Sequence, residues 1–151
     1  MNRTATMTPE EMDRVLTDHF IAEATHDLKG LLGTLTDDVE HDVVGVADGM
    51  HHGREETGRF YKGVFARLTQ EGVEPLRRYY GENFLVDEVI YTGEADGSLF
   101  GVDGRRGTIS IRILHVVEFR DGRMARENTW LDVETARRQL LEADDGARAE
   151  R

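Results

Sequence analysis

The sequence predicts an α+β domain, with helices first and a mostly antiparallel sheet after them. Three observations carry this. Residues 8–11, Thr-Pro-Glu-Glu, have the pattern of a helix start, and apolar residues at helical spacing follow. Between residues 83 and 132 the pattern changes to alternation, the period of a strand. Within it, residues 108–132 read as two long strands about a tight turn. Ile109, Ile111, Ile113, Val117 and Phe119 alternate there with Ser110, Arg112, Leu114, Val116 and Glu118.

In chain order, residues 1–7 read as a frayed tail. Thr8 is an N-cap, Pro9 takes the first helical position and Glu11 closes a capping box. The first helix runs to about residue 26, with Met12, Val15, Leu16, His19 and Phe20 as its apolar stripe. A second, short helix covers about 27–35 through Leu28, Leu31, Leu32 and Leu35, and Asp37-Asp38 reads as its terminator. Residues 39–46 form the first strand, with His41 and Val43 on one face and Asp42 and Val44 on the other. Residues 47–53 read as a loop that leaves His51 and His52 in solvent. The third helix spans about 54–68, and Phe60, Tyr61, Val64, Phe65 and Leu68 form its buried side. Gly58 and Gly63 there hint at close packing against the sheet. Strands follow near 75–80 and 83–91; the direction of Asp87 on the second is open, because both faces carry apolar residues. Asp132 caps a last helix with Val133, Ala136, Leu140 and Leu141 inward. The whole chain, 1–151, reads as one domain with an ordered core over 8–142 and flexible tails at 1–7 and 143–151.

The hairpin register matters most for function. Asp121-Gly122 as a two-residue turn sets His115 opposite Asn128. A type I turn over Arg120-Asp121, with Gly122 in a left-handed bulge position, sets His115 opposite Glu127 and Thr129 opposite Ile113. The turn rule favours the second, which puts Glu127 and Thr129 on the His115 face.

Composition narrows the function classes. The 151 residues carry a formal net charge of −11 and no cysteine. That charge repels phosphate backbones and anionic lipid, which argues against nucleic-acid and membrane-surface binding. No apolar run is long enough to span a bilayer. Disulfides and thiolate metal sites are excluded, and a cytoplasmic location is the simplest reading. The glycines of residues 92–107 are too scattered to cradle a phosphate ahead of a helix, so no nucleotide cofactor is expected.

His52-Gly53-Arg54-Glu55 followed by Phe60-Tyr61 resembles the opening of the third helix in ketosteroid isomerases. Thr92-Gly93, Gly97, Gly101 and Gly107, then 119–124 (FRDGRM), and the ending from Asp132 to Arg138-Gln139-Leu140, resemble SnoaL-like polyketide cyclases. From about residue 10 to 141 the chain is similar to the nuclear transport factor 2-like superfamily. The resemblance implies a conical, curved, mostly antiparallel sheet wrapped around three N-terminal helices, a short C-terminal helix, and a pocket inside. His115 falls where the isomerases have an oxyanion-stabilising Asp, His19 where they have the oxyanion Tyr, and Tyr61 matches the Tyr that supports it. Val43 falls at the isomerase base, beside Asp42. The acid/base Asp of the cyclases falls at Thr129, and a His common in their glycine-rich stretch falls at Ala95. The Asp–Arg–Asp arrangement of the epoxide-hydrolase branch is not visible in the sequence.

The candidate site is therefore His19, His41, His115 and Glu127 around one pocket, with Phe20, Tyr61, Phe65, Ile113, Val117 and Thr129 as its walls. A His–Glu pair can abstract a proton next to a carbonyl, and a second His can stabilise the enolate. The expected function is cofactor-independent acid/base proton transfer on a cyclic carbonyl or polyketide-like metabolite. The alternative is a non-catalytic small-molecule-binding or dimerisation module. No metal is expected: three imidazoles suit zinc, iron or copper, but the spacing has no short ligand motif. Leu114, Val116 and Trp130 on the outer face suggest a homodimer through the sheet.

Overall fold

A computed structural model describes residues 5–149; residues 1–4 and 150–151, parts of the two expected tails, lie outside the described residues. Helix α1 (Pro9–Ala24) starts on the expected capping box: the Thr8 hydroxyl accepts from the Glu11 amide and Glu11 accepts from the Thr8 amide. Helix α2 (Leu28–Gly33) follows. Strand β1 (Leu35–Val44) and the short β2 (Met50–His52) lead to α3 (Gly53–Arg67). Three long strands come next: β3 (Leu68–Gly81), β4 (Phe84–Asp96) and β5 (Arg106–Arg120). A 3-10 turn at Gly97–Phe100 joins the last two. Strand β6 (Arg123–Leu131) and helix α4 (Val133–Ala149) finish the chain.

Several sequence expectations shift. Met7 is not loose: its amide donates to Asn83 Oδ1, and its side chain packs on the core. Asp37 and Asp38 do not terminate a helix; they lie in β1, where Asp37 pairs with Arg54 and Asp38 with Arg120. Gly58 lets α3 approach Leu32 of α2 rather than the sheet, since a Cβ there would sit 3.3 Å from Leu32 Cδ1. Helix α4 continues past residue 142 to Ala149.

The six strands form one sheet in the order β2-β1-β6-β5-β4-β3, antiparallel except where β1 runs parallel to β6. Register breaks at Gln70/Gly72, Pro75/Arg77, Glu118/Phe119 and Leu35/Glu40 interrupt the long ladders, and such breaks bend strands. The helices occupy the inner face of the bend.

Both registers proposed for the β5–β6 hairpin are corrected. The turn is the two-residue Asp121-Gly122, with both residues at positive φ (52° and 75°) and Arg120 opposite Arg123. Ala125 is then an extra residue, because Phe119 pairs with Met124 but Glu118 with Arg126. This bulge moves the pairing by one. His115 faces Thr129, and Glu127 faces Val117. The expected faces survive even though the expected pairs do not: Glu127 and Thr129 share the inner face with His115, as their burial confirms.

The core is in two parts. One holds Met12, Leu16, Leu31, Leu35, Val39, Leu85, Val117, Phe119 and Met124. The other holds Val89, Tyr91, Leu99, Phe100, Ile109, Ile111, Ile113 and Leu140. On three strands the inner row changes from one cluster to the other at a polar residue, Asp87 on β4, His115 on β5, and Glu127 and Thr129 on β6, and on β1 the first cluster ends at His41. Pairing aligns them, with Asp87 beside His115, His115 beside Thr129, and Glu127 beside His41. A polar band thus crosses four strands at the seam between two apolar cores.

Candidate active site

The band meets the helices at a cavity that opens to solvent. His41, Phe60, Tyr61, Tyr91, Phe100, Ile113, His115, Glu127 and Thr129 are among its walls. A second chamber under α1, lined by Phe20, Val73 and Val89 among others, shares Glu23, Tyr91, Ile113 and His115 with the first.

Beside the first chamber, α1 brings His19 to Glu127. His19 is 0% and Glu127 2% exposed, and Nε2 lies 3.2 Å from Oε2. The contact has ion-pair distance without the alignment of a hydrogen bond. The Thr34 hydroxyl donates to the Leu31 carbonyl at 2.6 Å, so its oxygen is free to accept from His19 Nδ1 at 2.8 Å. With Nδ1 carrying a proton and a carboxylate facing Nε2, the ring is held as an imidazolium. Burial alone lowers the His19 pKa, but the Glu127 charge outweighs it and the net shift is upward. Glu127 moves the other way. Burial raises its carboxyl, but the charge and contact of His19 win and keep it ionised, well below the usual carboxylate range. Thr129 Oγ1 donates to its second oxygen at 3.3 Å.

A hydrogen-bonded chain leaves this pair along the cavity wall. Tyr61 OH lies 3.4 Å from His19 Nε2 and 3.2 Å from His41 Nε2, and His41 Nδ1 lies 3.2 Å from His51 Nδ1. Burial pushes His41 down to about 4, so it is neutral near pH 7. The consistent assignment is Tyr61 O–H donating to His41 Nε2, and His41 Nδ1–H donating to His51. Burial, with the charges of Glu127 and Glu23, raises the Tyr61 phenol and keeps it a donor.

On the other side, His115 is 7% exposed and its Nδ1 lies 3.6 Å from Asp87 Oδ2, too long for a hydrogen bond. Asp87 Oδ1 accepts from Arg78 Nε at 2.9 Å, and Arg78 Nη1 donates to Asp13 at 2.8 Å. Although burial opposes it, contacts with His115 and Arg78 hold the Asp87 carboxyl low. An Asp–Arg–Asp array absent from the sequence spacing is therefore present, assembled from α1, β3 and β4. It reaches the cavity only through His115.

The predicted residues divide accordingly. His41, Tyr61, Ile113, His115, Glu127 and Thr129 line the first chamber, while Phe20 lines the second. His19 sits behind Glu127. Val117 is in the core and Phe65 stacks on His26 at 4.5 Å; neither lines either chamber. The expected His115–Glu127 pair is corrected: Glu127 belongs to His19 and His115 to Asp87. His51 is 9% exposed within β2, not in a solvated loop, because it packs on His41 and Phe60. Sequence reasoning missed Glu23 and Arg78. Glu23 is one turn beyond His19 on the predicted stripe; nothing local marks Arg78. Among the described residues, no three His, Cys, Asp or Glu side chains converge as a metal site.

A fold with this cavity defines a class, and the comparisons agree. The family model of the SnoaL-like domain matches residues 14–127, so the chain belongs to that family. An LEH-like epoxide hydrolase of M. tuberculosis is 19% identical, with a TM-score of 0.70 over 94% of this chain and 98% of that one. A Shewanella putrefaciens protein described as a SnoaL-like polyketide cyclase is 17% identical, with a TM-score of 0.76 over 90% and 99%. A Rhodopseudomonas palustris protein described as an isomerase is 18% identical, with a TM-score of 0.71 over 93% and 99%. At these identities the structures establish the fold alone. No curated protein matches the sequence. No helix among the described residues is long and apolar enough to cross a membrane.

Proposed function

We propose that the protein is a small cofactor-independent enzyme that moves a proton on a cyclic carbonyl or polyketide-like metabolite. One observation carries this reading: His115 lines an apolar cavity and has a charged Asp87–Arg78 pair behind it. In this reading His115 is the base, because Glu127 is held too far below neutrality to take a proton well. Glu127 instead keeps His19 charged. To stabilise the oxyanion, which must form away from the Glu127 charge, the Tyr61 O–H turns from His41 Nε2 to the ligand. Phe20, Ile113 and Thr129 shape the ligand. The test is exchange of the α-protons of 2-tetralone in D2O, followed by NMR. Exchange above buffer that falls about a hundredfold in His115→Ala supports the reading, a size typical of lost general-base catalysis. No exchange above buffer overturns it.

The second reading, a binding module without catalysis, draws on the depressed Glu127 carboxyl. A carboxylate that cannot accept a proton near neutrality suits recognition better than turnover.

The outer sheet face supports a homodimer within the same proposal. Leu114 and Trp130 are cross-strand partners and remain 36% and 40% exposed. Trp130→Glu should convert the dimer to a monomer in sedimentation velocity; a wild-type monomer at micromolar concentration removes this part. A cytoplasmic location, consistent with a chain without cysteine, completes the reading.

A further inference from the structure

The proton-transfer reading leaves Glu23 without a task. It is half-buried on α1, next to the seam, and lines both chambers together with Tyr91, Ile113 and His115. No described residue gives its carboxylate a hydrogen bond or an ion pair. Neither chamber is lined by a lysine or an arginine. Glu127 also faces the first chamber, but its charge is matched by His19 behind it. Glu23 has no such contact: His19 and His115 act on it only through their field, and the walls around it are mainly aromatic and aliphatic. An unpaired charge in such surroundings is costly, and burial accordingly pushes the Glu23 carboxyl up. An anionic occupant would meet two carboxylates. A cationic one would relieve the cost, and Phe60, Tyr61 and Phe100 could receive its alkyl groups against ring faces.

We propose that the natural occupant is an apolar amine, with its protonated nitrogen held by Glu23 at the junction of the chambers and its hydrocarbon body between Phe60, Tyr61 and Phe100. This rests on the small-molecule reading above and names its substrate class. A substrate that brings its own cation also supplies positive charge that the cavity wall lacks where an enolate forms.

The test uses three probes with one apolar body: 1-adamantylamine, 1-adamantanol and 1-adamantanecarboxylate. Each is titrated into the full chain at pH 7 and followed by amide chemical shifts. The amine should bind about tenfold or more tighter than the alcohol, the size of a partly desolvated cation contact. The carboxylate should bind more weakly than the alcohol. Shifts should centre on Glu23, Tyr91 and Ile113. Glu23→Gln should abolish the preference for the amine. Equal binding of amine and alcohol, tightest binding of the carboxylate, no binding of any probe, or a preference that survives Glu23→Gln would overturn the proposal. The wild-type comparison needs no variant, so a folding defect in Glu23→Gln does not shield it. The readout involves no proton transfer. A protein that prefers the amine but does not exchange 2-tetralone keeps this inference and loses the catalytic one; the reverse result does the opposite.

Discussion

The protein contains two imidazole–carboxylate pairs, and they differ in how each is enclosed and how its charge is balanced. His19–Glu127 is closed off. Both groups are almost fully buried, and Thr34, Tyr61 and Thr129 supply further contacts. The ion pair is its own charge balance. His115–Asp87 is open. It is longer, 3.6 Å against 3.2 Å, and its carboxylate is balanced by Arg78, which leads out to the half-exposed Asp13. The closed pair resists change of protonation and so keeps a fixed field in the cavity. The open pair sets its imidazole on the cavity wall with the Asp87–Arg78 contact behind it. Residue type does not make this distinction; the neighbours do.

The largest effect that tests the contrast is Glu127→Gln. Removing one partner of a buried pair strands the other, and about 3–5 kcal/mol of stability should be lost in urea denaturation. The sign with pH follows from both groups. His19, raised above 6.5, contributes stability that is fully present below pH 6.5 and is lost as pH rises through its folded value. Glu127, held below its ordinary value of 4.5, contributes stability present above that value and lost as pH falls. The cost of Glu127→Gln should therefore be greatest between about pH 4.5 and 6.5 and should shrink above His19's folded value. A cost that stays the same below pH 4.5 and above His19's folded value would mean that the pair is not ionised.

His41 should act in the opposite sense to its neighbour. Its folded value of about 4 lies below 6.5, so the unfolded chain binds the proton first and stability falls as pH drops from 6.5 to 4. The loss should reach about 3 kcal/mol, and His41→Gln should remove that arm of the stability–pH curve. An imidazole titration of His41 near 6.5 by NMR would refute this.

Asp87→Asn should cost less than Glu127→Gln, about 1–2 kcal/mol in the same urea assay, because Arg78 retains Asp13 and partial access to water. A loss as large as that of Glu127→Gln would erase the distinction between closed and open pairs. Thr129→Val should be smallest, about 0.5–1 kcal/mol for one hydrogen bond, with a small upward shift of the Glu127 titration seen by carboxyl NMR.

Much of the frame was legible in residues 8–11 and 108–132, because capping and alternation act over a few positions. The inward row of β5 and the place of His115 in it followed from period alone, as did the inward faces of His19 and His41. The pairing of these groups did not. It depends on Ala125, a single bulged residue with no mark in the sequence, which restores to the inner face what the tight Asp121-Gly122 turn alone would have turned outward. His51 was read as solvated because two adjacent histidines in a polar stretch look like loop, whereas β2 pairing turns one inward and the other out.

The sequence by itself determined which side chains point inward, since burial of apolar surface selects one face of each helix and strand whatever lies across from it. It also determined the acid-rich, cysteine-free character of the chain. Only the tertiary structure decided which carboxylate serves which histidine, that Arg78 stands behind Asp87, and that Glu23 is left without a partner. Those are relations between residues 9 to 108 positions apart. Their energies depend on distance, dielectric and desolvation, which exist only once α1 lies across the seam of the sheet.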